Sequence, residues 1–265
     1  MLHLLKIEWL KIRNYRAFWV LFSLFIIAVL GINYIAWYIK TQIEQDAGKM
    51  IGSLVGGPFS FPEVWQTVGW MTSWLLYFPG FIMIFLVTNE YTFRTHRQNI
   101  IDGLNRHQFV WVKLWVATIL AVLSTVMMIL ASLLFGILSK GGTFEFESLK
   151  YVGYFFIMAM VYMLFAFMLA LLLRRAALAV GIFFIFGLIF DNVLANMVNQ
   201  QMESKLGTYL MPIDVADQLI PFPFLKSVSS TVMKQANEWI CLAICAAWIA
   251  FYHWFALRKF DKEDL

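Results

Sequence analysis

The sequence predicts an all-α integral membrane protein, one transmembrane domain over residues 1–265. It has six transmembrane helices, an N-terminal interfacial helix, and a short cytosolic helix between spans two and three. Three observations carry the prediction. The chain is 62% hydrophobic and 18% aromatic with only 14% charged residues, well below the roughly 25% charged fraction of soluble domains. Apolar runs at about 18–39, 67–88, 114–138, 151–173, 176–198 and 239–257 are each long enough to cross a hydrocarbon core about 30 Å thick at about 1.5 Å per residue. With the N-terminus inside, 13 of the 20 Lys and Arg residues fall in cytoplasmic segments, the side on which positive charge is retained.

Each element follows from its residues. In MLHLLKIEWLKIRNYRAFW, Leu2, Leu5, Trp9 and Ile12 share one helical face, with Lys6 and Arg13 placed to snorkel beside it; the stretch predicts a helix lying in the inner interface. The first span begins too late and runs too long for a signal peptide, and no small-residue cleavage site follows it. Trp19, Trp37, Trp65, Trp70, Trp111, Trp115, Trp239 and Trp254 sit near span ends, as interfacial belts require. Outer loops occupy roughly 40–66, 139–150 and 199–238. The last carries Pro212, Pro221 and Pro223 and reads as short helices or a re-entrant segment against the outer bilayer face, where irregular backbone must be covered by protein.

Between spans two and three lies NEYTFRTHRQNIIDGLNRHQF, residues 89–109. Ile100, Ile101 and Leu104 share one face of a predicted helix, while Arg97, Asn99, Asp102 and Arg106 spread over the rest. Such a helix either anchors a loop or seats its apolar knob in a partner's groove, with the charges fixing register.

Catalytic signatures are missing from the sequence. It contains no G-x-x-x-x-G-K-[ST], no H-E-x-x-H, no nucleophile elbow and no cysteine cluster. Cys241 and Cys245 share a helix face, read as packing residues over the alternative of a shared soft metal, and His3, His96, His107 and His253 lie near inner span ends. Asp191 is the one acidic residue placed within a span, with Asn192 and Asn196 beyond it. These three either cap the outer end of the bundle or contact a substrate. So few intramembrane charges, and no evident inverted repeat, argue against a proton-driven carrier.

The residues from Glu90 onward resemble the membrane subunits of type-2 ABC exporters. In those permeases an acidic residue after the second span is followed by an aromatic, a Gly-Thr pair, a short helix and a Lys leading into the third span. Here the stretch reads Glu90-Tyr91-Thr92-Phe93-Arg94-Thr95, then NIIDGLNR, then Lys113, with Arg94 standing where the family has Gly. The resemblance implies that the short helix is a coupling helix, with Glu90, Arg94, Thr95, Arg97, Ile101, Leu104 and Arg106 as the ATPase-coupling residues, and Asp191, Asn192 and Asn196 along the substrate path. It further implies a separate ATPase subunit holding ATP and Mg, no cofactor or metal in this chain, and a second permease subunit in a homodimer or heterodimer. The expected location is the bacterial inner membrane, with both termini cytoplasmic. A hydrophobic or amphipathic cargo, such as an antimicrobial peptide, drug or lipid, fits the absence of a charged intramembrane pocket from the sequence reading. The alternative is a membrane protein without an ATPase, either a secondary carrier or a scaffold of an envelope complex.

Overall fold

The computed structural model describes residues 2–46, 57–93, 95, 106–139, 147–223 and 236–261, and no strand occurs among them. Helix α1 (Leu2–Arg13) leads into the long α2 (Arg16–Asp46). A bent pair, α3 (Val64–Ser73) and α4 (Tyr77–Thr92), is followed by α5 (Arg106–Leu138) and, after a 3-10 turn at Glu147–Leu149, by α6 (Lys150–Leu173). Helix α7 (Ala176–Ile185) continues through a π turn (Phe186–Phe190) into α8 (Asp191–Met202). Two short helices, α9 (Leu206–Leu210) and α10 (Pro212–Asp217), precede the final α11 (Glu238–Asp261).

Five stretches are long and apolar enough to cross a membrane: Arg16–Gln42, His107–Leu138, Lys150–Leu173, Ala176–Met202 and Glu238–Phe260. Helices α3 and α4 qualify only as a pair, bent by 45°, so the stretch predicted as a second span at 67–88 is not one straight rod. Pro79 accounts for the break. It has no N–H to donate to the Leu75 carbonyl one turn earlier, and its ring crowds that carbonyl. The Leu75 oxygen instead accepts from the Phe78 N–H at 3.1 Å, a tighter turn.

Helix α6 is the axis of the fold. Of its most apolar window, 72% is buried inside the chain, against 22% for α2, α7–α8 and α11, which present apolar side chains outward. At one end of the bundle, Phe260 of α11 stacks on Phe109 of α5 at 4.7 Å, and the Arg174 guanidinium lies 5.2 Å from the Tyr91 ring. At the other end, Trp37 donates to Ser139 at 3.2 Å, and Lys150 pairs with Glu238 at 3.2 Å. Helix α1 and the end of α11 therefore share a face with the end of α4 and the start of α5, and Lys11, Arg13, Lys113, Arg174, Arg258 and Lys259 lie on the elements that meet there. We term it the basic face.

Trp65 is 2% exposed and packed against Phe61. On α1, Trp9 is 51% exposed on the surface of the chain, while Glu8 and Ile12 are buried against the bundle. Glu8 is drawn inward by lysines of α1 and α5.

Past α8 the chain turns at Glu203, in a left-handed conformation (φ 46°), and folds back into the bundle. Helix α9 presses so closely on α8 that a Cβ on Gly207 would stand 2.1 Å from the Ala195 carbonyl oxygen, and Asn199 donates to the Thr208 hydroxyl at 2.9 Å. Helix α10 reaches Tyr162, halfway along α6, whose hydroxyl donates to Asp217 at 3.0 Å. The chain then leaves past Gln66, which donates to the Pro221 carbonyl at 2.9 Å. The segment is re-entrant and goes deeper than a cap on the outer face. Gly207→Ala is expected to cost about 1–3 kcal/mol by overpacking. Gly153→Ala, where nothing lies within 4 Å, is the control, and equal thermal stability of the two variants would contradict the close approach.

Candidate functional site

On the basic face, four ionisable side chains from three helices form one network. Glu8 and Lys11 stand one turn apart on α1, with Lys11 Nζ 2.9 Å from Glu8 Oε1. Glu90 lies in the last turn of α4 and Lys113 two turns into α5. Lys113 Nζ is 2.5 Å from Glu8 Oε2 and 2.7 Å from Glu90 Oε1, and Lys11 Nζ is also 2.7 Å from Glu90 Oε1. Each carboxylate therefore meets two ammonium groups, and each ammonium two carboxylates.

Burial makes the arrangement consequential. Lys113 is 1% exposed, with its ammonium 5.5 Å from the Phe109 ring, and Glu90 is 5% exposed. A carboxylate in the last turn of a helix opposes the helix dipole, and burial adds a desolvation cost of several kcal/mol. Two lysines at hydrogen-bonding distance offset both terms. Burial is the largest single influence on Glu8 and pushes its carboxyl up, but Lys113 and Lys11 together hold it below the ordinary value. On Lys11 burial likewise works against the charge, and Glu90 and Glu8 outweigh it, raising the ammonium above its ordinary value. The N-terminal helix is thus fastened, through charges, to the end of α4 and the start of α5. These are the two helices that flank residues 94–105.

Beside the network a cavity of about 250 Å³ is lined by Tyr15, Leu86, Asn89 and Thr95 as well as by Glu8 and Glu90. Of the residues predicted for this site, Glu90 and Thr95 are brought together there. Arg94, Arg97, Ile101 and Leu104 lie outside the described residues, and Arg106 is described only as the first residue of α5. Glu8 and Lys11 were not predicted as site residues. Their spacing of three and their place in a helix otherwise read as apolar were the available signal.

At the far end, Asp191, Asn192 and Asn196 do not share a face: Asp191 is fully buried, Asn192 half-buried and Asn196 exposed. Asp191 is also not the sole acid at that depth. The re-entrant segment brings Asp214 and Asp217 to it, with the Asp214 N–H donating to Asp191 Oδ2. The expectation of a bundle without an intramembrane charged cluster is corrected accordingly, because a loop read as lying on the outer face folds inward.

No group of three or more His, Cys, Asp or Glu side chains among the described residues is arranged to hold a metal ion. No curated protein matches the sequence. The family model described as ABC-2 family transporter protein matches residues 4–190, from α1 through the π turn, a stretch that includes all four members of the ion network. With its apolar helices crossing a membrane several times, the chain belongs to the ABC-2 transporter family, as a membrane-spanning permease subunit.

Proposed function

We propose that the chain exports a hydrophobic or amphipathic substrate, driven by ATP hydrolysis on a separate subunit that carries ATP and Mg and docks on the basic face. In this reading the basic face is cytoplasmic, α3 and α4 together form one of six spans, and two permease subunits pair in a bacterial inner membrane. The single observation that carries it is the ion network. A coupling element must transmit force, and Glu8, Lys11, Glu90 and Lys113 join α1 rigidly to both helices that bracket residues 94–105. Closure of the ATPase subunits against Arg97, Ile101, Leu104 and Arg106 would push on α4 and α5 together, and α1 would move with them.

The outer part of the route would run along α8 past Asn192 and Asn196, where Asp191 holds the re-entrant segment. This supports a path at the edge of the chain, completed by a second subunit.

Replacing Ile101 and Leu104 together with Asp tests the reading. Charge on the docking face is strongly unfavourable when buried unpaired. The double variant is expected to insert normally yet lose co-purification of the ATPase subunit, or lose substrate-stimulated hydrolysis. Normal association and wild-type transport would reduce the segment to an anchor.

A further inference from the structure

Where the re-entrant segment meets α6 and α8, the protein gathers three carboxyl groups, Asp191 and Asp214 buried and Asp217 partly so, with no base among the described groups that face them. Asp191, 0% exposed, opens α8 directly after the π turn. Its Oδ2 accepts the Asp214 N–H, and Asp214 itself is held by the side chains of Thr208 and Gln218. Asp217 receives the Tyr162 hydroxyl on Oδ1 at 3.0 Å. The groups facing this cluster come from every neighbouring helix: Tyr77 from α4, Tyr162 from α6, and Cys245 and Tyr252 from α11. The charge acting on Asp191 is that of Asp214, and those acting on Asp217 are Asp214 and Asp191, whereas Lys205 acts on Cys241.

Two polar atoms in this region have no hydrogen-bond partner among the described residues, Asp191 Oδ1 and the hydroxyl of Tyr252. Tyr252 is 1% exposed and within electrostatic range of Asp191. A carboxylate at the centre of a bilayer costs at least about 2.5 kcal/mol, and like charges in one site cannot all ionise. A buried acid without a counter-ion takes up a proton instead. Asp191 Oδ2 already serves as an acceptor, so Oδ1 is the atom that lacks compensation.

We propose that Asp191 is a proton-binding site within the membrane, protonated on Oδ1 while the re-entrant segment is seated, with the Tyr252 hydroxyl as the second polar group of the site. Loss of that proton sets a new negative charge against Asp214 and Asp217 and weakens the contact between α8 and α10. Seating of the re-entrant segment is therefore proton-dependent. The inference is separate from the assignment of an ATPase partner.

Infrared difference spectroscopy of the full chain in lipid nanodiscs, recorded as pH is raised, tests it without any need for transport. The wild-type protein is expected to show the C=O stretch of a protonated carboxyl at neutral pH, lost on alkalinisation. Asp191→Asn should remove one component of that band, Asp217→Asn should leave the component in place, and Tyr252→Phe should shift its frequency. If Asp191→Asn does not assemble, Asp191→Glu serves, because a different carboxylic acid moves the band without abolishing it. A neutral-pH spectrum with no protonated carboxyl overturns the proposal. So does a band that is identical in wild type and in whichever Asp191 variant assembles.

Discussion

Lys113→Met is expected to destabilise the protein by about 3–5 kcal/mol, because it removes one partner of a buried ion network and strands Glu8 and Glu90 beside each other with Lys11 alone to serve both. Packing is nearly conserved by Met, so the loss is electrostatic. The measurement is the thermal unfolding midpoint of the purified protein, together with protease access to α1. Adding Glu90→Gln to Lys113→Met should recover most of the loss, since Glu8 and Lys11 then remain as a matched pair. Unchanged stability in the single variant would mean that the lysine is solvated and the network weak. The wild-type latch also has a defined pH window. Glu8, with its carboxyl held below the ordinary 4.5, contributes in full above that pH and loses its contribution as pH falls through the lowered value. Lys11, raised above 10.5, contributes in full below that pH and loses its contribution as pH rises through the raised value. Protection of α1 from protease should be flat between these limits and fall at both ends.

Phe183→Ala is expected to cost about 3 kcal/mol, the low end of the range for emptying a buried phenylalanine site. The low end applies because bilayer lipid is itself apolar, so the loss comes from van der Waals contacts and not from transfer out of water. The ring is fully buried, with Tyr77, Phe81 and Phe165 at 5.4, 6.0 and 5.9 Å between centroids. It also fills the space that a side chain at residue 80 would occupy, since a Cβ on Gly80 would lie 2.4 Å from the Phe183 ring. The variant should loosen α7 from α4 and α6 and lower the unfolding midpoint, and Phe183→Leu should do so less. A midpoint unmoved by either substitution would show that the cluster carries no packing energy.

How much of this was legible in the sequence depends on the range of the interaction. The apolar runs are local, so five spanning helices and the bent pair fall close to where hydropathy places them. The kink at Leu75 was also local: Pro79 signals it, although a window of about 20 residues averages it away. Glu90 belongs to the motif that follows the second span, whereas its partner Lys11 lies 79 positions before it on another helix, and no periodicity joins such a distance. Asp217 read as one polar residue of a long outer loop. Only the inward fold of that loop, held by Gly207 against Ala195 and by Gln66 on Pro221, brings it to Tyr162.

The π turn at Phe186–Phe190 has a geometric consequence for the helix that carries Asp191. The residues buried along α7 and α8 are Ala179, Phe183, Gly187, Asp191 and Ala195, a strict spacing of four. At 3.6 residues per turn, such a stripe gains about 40° with every step and would drift by about 160° from first to last, ending on the opposite side of an unbroken α-helix. The wider turn takes in about one extra residue, roughly 100° of rotation, and so returns most of that drift. It acts as a phase corrector. Plain α-helix through those five residues, at the same chain length, would rotate Asp191 by roughly 100° relative to Phe183, separating the two halves of a stripe that the backbone now keeps in step.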